Sequence, residues 1–173
     1  MKYKSLGLTV LLVASAGSAP AQTPVSGTLK CGDVPASADY TVEVGDHPGH
    51  VLIMEKGTCS WTAPLEIAGL KSTTHSGASF TDVDGAKFQG RGYFVITMEN
   101  GDKLYGRNQG TGTTTDGGKA LTGDGTWSFT GGTGKLKGVK GKGTYKSAGV
   151  PNGEANYQVE GEYTLPGASA TAK

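Results

Sequence analysis

The chain has 173 residues, with 16 lysines and arginines against 15 aspartates and glutamates, so it carries almost no net charge. That balance excludes a nucleic-acid partner recruited by charge. Thirty glycines, far above the roughly 7% of an average protein, stand among regularly placed tyrosines and β-branched residues; the pattern excludes disorder and predicts an all-β protein with many turns.

In chain order, the first element is a leader. Lys2 and Lys4 form a basic start, Leu6 to Ala14 a short apolar run, and Ala19-Pro20-Ala21 a small-x-small cleavage pattern. Together they predict a signal peptide over 1–21. The apolar run is much shorter than the roughly 20 residues that span a bilayer, and no cysteine follows it at a lipidation position. The mature protein is therefore expected to be exported, to the periplasm or the medium, without membrane attachment. Residues 22–165 are long enough for one domain with its own core, and 166–173 read as a flexible C-terminal tail.

Cys31 and Cys59 are the only cysteines. In an oxidising compartment a lone pair is most simply one disulfide. Two free thiols or a metal pair are the alternatives, and neither residue has a second Cys/His cluster near it in sequence. "YTVEV" (40–44) then alternates, with Tyr40, Val42 and Val44 on one face. Asp46-His47-Pro48-Gly49-His50 follows. Two imidazoles and a carboxylate within five residues have the donor types for Zn²⁺ or Cu²⁺. Pro-Gly between them makes a turn, however, and no third strong ligand is identifiable. The preferred reading is a hairpin loop with surface histidines, so no metal and no other cofactor is expected.

"HVLIMEK" (50–56) is apolar on both faces, as in a central strand or one covered from both sides. Segment 62–90 is mostly polar and offers a helix or loop that covers a neighbouring face. "RGYFVITMENGDKLYGRNQG" (91–110) predicts a hairpin, its Asn100-Gly101 taken as a two-residue type I′ turn. That register puts Phe94, Ile96, Met98, Tyr105, Arg107 and Gln109 on one face, and Tyr93, Val95, Thr97, Leu104 and Asn108 on the other. If the first face is interior, Arg107 and Gln109 are polar groups in an aromatic cavity, able to orient a ligand. If the hairpin end is a solvated rim, they are surface groups. Apolar side chains on both faces also predict a covered outer surface, by preference through a homo-oligomer, since 62–90 has few large apolar residues to offer; cover by 62–90 is the alternative.

The last third alternates strictly. Leu121, Gly123, Gly125, Trp127 and Phe129 share one face, as do Val139, Gly141, Gly143 and Tyr145, and then Ala155, Tyr157, Val159, Gly161 and Tyr163. Three such segments in succession are half-buried antiparallel strands. Lysines on one outer face and glutamates on the next can pair across the ladder. The glycine- and lysine-rich stretch between them fails both phosphate-loop patterns. Gly134-Lys135 is followed by Leu136 rather than a hydroxyl residue, and Gly141-Lys142-Gly143 by Thr-Tyr-Lys. Its glycines make a turn and remove bulk beside inward rings.

"GGTGKLKGVKGKGTY" (131–145) resembles the strand-turn-strand signature of the allene oxide cyclase/dirigent-type barrels. "DHPGHVLIMEKGTCSW" (46–61) and "ENGDKLYGRNQGT" (99–111) resemble exported bacterial proteins of unassigned activity that share it. The resemblance, best over 90–163, implies a single antiparallel calycin-like β-barrel of about eight strands. It implies no catalytic residues, since none of the cyclase or dirigent ones match named positions here.

The function expected is binding of a small apolar or aromatic molecule inside the barrel, by Phe94, Tyr105, Arg107, Gln109, Trp127, Tyr145 and Tyr157. Two readings stand beside it. One is a cyclase- or isomerase-like enzyme in which Arg107 and Tyr105 steer a reactive intermediate; the other is a structural exported protein with a packed interior.

Overall fold

The computed structural model describes residues 22–32, 38–115, 120–149 and 154–167. The predicted signal peptide and the tail beyond 167 lie outside them. The described residues form ten strands: β1 (Thr23–Cys31), β2 (Asp39–Glu43), β3 (His50–Ala63), β4 (Glu66–Ile67), β5 (Leu70–Asp84), β6 (Lys87–Met98), β7 (Lys103–Thr115), β8 (Ala120–Gly132), β9 (Lys140–Gly149) and β10 (Ala155–Thr164). Their spatial order is β2-β3-β1-β10-β9-β8-β7-β6-β5-β4, and β3 also pairs with β5. Eight strands therefore close into an antiparallel barrel, while β2 and β4 stand outside the ring. The expected all-β barrel is the observed fold.

Alternation sets the inner face as the sequence predicts for β8 to β10. Trp127, Phe129 and Tyr163 are buried, Tyr145, Tyr157 and Val159 are largely so, and Lys140, Lys142 and Lys146 are exposed. The outer charges meet at one place on the ladder, where Lys142 and Glu162 are register partners with Nζ 3.7 Å from Oε1. Inside, each large ring lies over glycines of neighbouring strands. Trp127 covers Gly143 and Gly161, Tyr145 covers Gly110 and Gly125, Phe94 covers Gly106 and Phe88 covers Gly112. Interior space in a barrel of this size is just enough for side chains, so a ring on one strand needs bare backbone on the next.

A methyl group at Gly143 would stand 2.6 Å from the Trp127 ring and collide with the Glu160 carbonyl. Replacing a strand glycine ordinarily gains about 0.4–1 kcal/mol from the unfolded chain. Overpacking costs about 1–3 kcal/mol and decides the sign. Gly143→Ala is thus expected to lower the urea midpoint at unchanged m-value; a midpoint at or above wild type would refute this packing.

One end of the barrel is packed solid. Ile67 and Leu70 of the β4–β5 hairpin, Met98 and Leu104 of the β6–β7 hairpin, and Leu136 and Val139 of the loop after β8 fill it. The glycine- and lysine-rich loop thus supplies a plug. Its single-turn 3-10 helix, Gly134–Leu136, directs the Lys135 N–H to Asp102 Oδ2 at 3.0 Å, so a carboxylate of the chain itself occupies the turn.

Two expectations are corrected. The β6–β7 connection has three residues rather than two: Gly101 N–H donates to the Met98 carbonyl (2.9 Å), Met98 N–H to the Asp102 carbonyl (2.8 Å), and Gly101 alone in this turn has positive φ, +86°. This is a type I turn closed by a left-handed glycine. It pairs Thr97 with Lys103, Val95 with Tyr105 and Tyr93 with Arg107. A shift of one residue exchanges the faces of a strand, so Leu104 and Asn108 point inward with Phe94, while Tyr105, Arg107 and Gln109 point out. The segment 62–90 is neither helix nor covering loop. It forms the end of β3, β4, β5 and the start of β6, and β5 completes the ring between β3 and β6.

Candidate functional site

Between the packed end and the opposite mouth lies a cavity of about 170 Å³. Alternation along β3 turns Glu55, Gly57, Cys59 and Trp61 inward, and the β3–β5 register sets Ser79 opposite Glu55, Gly77 opposite Gly57 and His75 opposite Cys59. Paired Gly57 and Gly77 leave the wall without side chains just where Phe94, on β6, faces it. Asn108 of β7, Trp127 and Phe129 of β8, Tyr145 of β9 and Tyr157 of β10 complete the lining.

The wall is aromatic with a few polar atoms. His75 stacks on Phe94 with ring centroids 5.3 Å apart and meets the edge of Trp61 at 6.1 Å. Ser79 Oγ donates to Glu55 Oε1 at 2.9 Å. Tyr145 and Tyr157 lie 6.0 Å apart. Burial holds the His75 imidazole down to about 4, so the ring is neutral at physiological pH. Burial pushes the Tyr145 hydroxyl up to about 12, and burial together with the Glu55 charge raises that of Tyr157; both phenols stay protonated. Trp127 Nε1 is satisfied by the Thr144 carbonyl at 3.2 Å, but Trp61 Nε1 and His75 Nδ1 are buried without a partner among the described residues.

Of the residues predicted to bind a ligand, Phe94, Trp127, Tyr145 and Tyr157 line this cavity. Tyr105, Arg107 and Gln109 do not. They lie on the outer surface, where Arg107 Nε donates to Ser128 Oγ at 3.2 Å, and the reason is the three-residue turn. The pair on which a cyclase-like reaction would depend is therefore outside the barrel. Sequence reasoning missed Glu55, Trp61, His75 and Asn108. Glu55 carried a signal, as a single carboxylate in the apolar run 50–56; His75 sits in a polar segment and carried none.

Cys31 and Cys59 are joined, as expected, and are direct register partners on β1 and β3. Asp46 and His47, on the turn between β2 and β3, and His50, the first residue of β3, lie apart from the cavity. Among the described residues, no helix is long and apolar enough to cross a membrane.

Neither a family model nor a curated protein matches the chain. Among solved structures it is similar to a pterocarpan synthase dirigent protein at 14% identity and a TM-score of 0.40, over 94% of this chain and 98% of that one. The fold stands on the strand pairing itself.

Proposed function

We propose that this is an exported barrel protein that binds a single-ring aromatic molecule bearing one polar group, and that it acts as a binding protein rather than an enzyme. The observation that carries the reading is the aromatic cavity with two unpaired buried nitrogens. Such groups cost about 1–3 kcal/mol each when unsatisfied, and a ligand oxygen between Trp61 and His75 would remove that cost. Size points to one ring, since an apolar void of about 150 Å³ holds benzene. The lining matches small-molecule sites, which are mostly aromatic with few placed polar groups. The disulfide supports export, because such bonds persist in oxidising compartments.

Titration with phenol, indole and 4-hydroxybenzaldehyde, followed by tryptophan fluorescence and calorimetry, tests this. At least one probe is expected to saturate with a Kd of roughly 10–1000 μM, within the limit for so few atoms. Val159→Phe, which adds a ring to the lining, should retain the strand spectrum and weaken that probe more than tenfold. No saturable binding, or undiminished binding to the filled variant, would sink the proposal.

A further inference from the structure

We propose that the β2–β3 turn and the facing end of β5 form a binding site for one divalent transition-metal ion, with His47, His50 and Asp46 as ligands and Asp84 and Asp82 as the carboxylates that orient the two imidazoles. This site is separate from the cavity and independent of the binding function proposed for it.

The backbone brings the donors together. Gly45 and Gly49 take positive φ, +84° and +83°, on either side of Asp46, His47 and Pro48, and the reversed chain sets the two imidazole rings 5.0 Å apart. One donor atom from each of Asp46, His47 and His50 lies within 4.8 Å of the others. Tetrahedral zinc bonds of about 2.0–2.2 Å place ligand atoms about 3.4 Å apart, so small side-chain rotations bring the three donors to that spacing.

What separates this cluster from a chance group of surface charges is the use of each ring nitrogen. Nδ1 of His47 and Nδ1 of His50 both converge on Asp46 Oδ1, at 3.2 and 2.8 Å. Each Nε2 faces a different carboxylate: His47 faces Asp84 Oδ1 at 2.9 Å, and His50 faces Asp82 Oδ1 at 3.1 Å. A carboxylate that accepts the outer N–H fixes the tautomer and turns the other nitrogen's lone pair to the metal, as in carboxylate–histidine–metal triads. The strands hold this geometry, since register pairs His50 with Asp84 and Leu52 with Asp82 and so places all three polar groups on one face. Two imidazoles and one carboxylate suit Zn²⁺, Ni²⁺ or Cu²⁺ rather than Mg²⁺ or Ca²⁺, and three protein donors leave a position open to water.

The tag-free mature chain is titrated with Zn²⁺ by calorimetry and with Co²⁺ by visible absorption. One equivalent of each is expected to bind, and a large excess of Mg²⁺ should not displace it. His47→Ala and His50→Ala should each weaken binding at least tenfold, and Asp84→Asn by about 10–100-fold, with melting curves showing that each variant is folded. His75→Phe removes the third histidine, inside the barrel, and should leave the affinity unchanged. Absence of stoichiometric binding, or undiminished binding to a folded His47→Ala/His50→Ala double variant, would overturn the site. An unchanged affinity in Asp84→Asn would overturn the orienting role of that carboxylate.

Discussion

Reducing the Cys31–Cys59 disulfide is expected to destabilise the protein by about 3–4 kcal/mol in the chain-entropy account of a closed loop of this size, and to lower the melting temperature by about 10 °C for a domain of this length. The sequence separation of the two cysteines is 28 residues. Its position adds to the loss. The β1–β3 seam closes the ring, and its paired stretch, Thr28 to Cys31 against Cys59 to Ala63, is the shortest in the barrel and is interrupted by a register shift between Thr28 and Leu29. Beyond Cys59, toward its N-terminal end, the same edge of β3 is taken by β2 instead. The disulfide therefore fastens the point where β3 changes partner. A domain with about 5–15 kcal/mol in hand should survive reduction but open first at this seam, with early hydrogen exchange in β1. Thermal melts with and without dithiothreitol, and a Cys31→Ala/Cys59→Ala double variant, give the measurement. Equal melting temperatures, or two thiols alkylated before reduction, would show that the bond does not hold the seam.

The second large effect is acid sensitivity through His75. Burial among Trp61, Phe94 and the cavity wall keeps its imidazole at about 4, against 6.5 for an exposed one. As pH falls below 6.5 the unfolded chain takes up a proton that the folded chain refuses, and the fold loses stability. The loss grows until pH reaches about 4, where the folded chain is protonated too, and is constant below. The interval corresponds to about 3 kcal/mol. Carboxylates also contribute in this range, so the comparison is with His75→Phe, which keeps a ring against Phe94 but cannot titrate. Urea unfolding from pH 7 to 4 should show the variant gaining on wild type by about 3 kcal/mol. A difference between the two that stays constant with pH would mean that His75 is solvated rather than buried.

How these groups became legible differs from residue to residue. Side-chain direction along a strand repeats every two residues as a matter of covalent geometry, so the inward Trp127, Phe129, Tyr145 and Tyr157, with the inward Gly125, Gly141, Gly143 and Gly161, could be read from β8 to β10 alone. With only two cysteines, the Cys31–Cys59 bond needed no structure either. The direction of Arg107 was different. Asn100-Gly101 is compatible with a two- or a three-residue turn, and Asp102, which follows it, is engaged by the Lys135 N–H from the loop after β8. A contact across thirty residues thus accompanies the choice of face for every residue of β7. β5 also escaped detection, because its serines, threonines and small residues lack apolar alternation and become a strand only between β3 and β6. The inward placement of Glu55 and His75, and the arrival of Asp82 and Asp84 beside His50 and His47, follow from that same pairing. Periodicity is local and survives in the sequence. Register and the burial of particular polar groups are set by closure of the ring, which joins strands distant in the chain, and only the tertiary structure decides them.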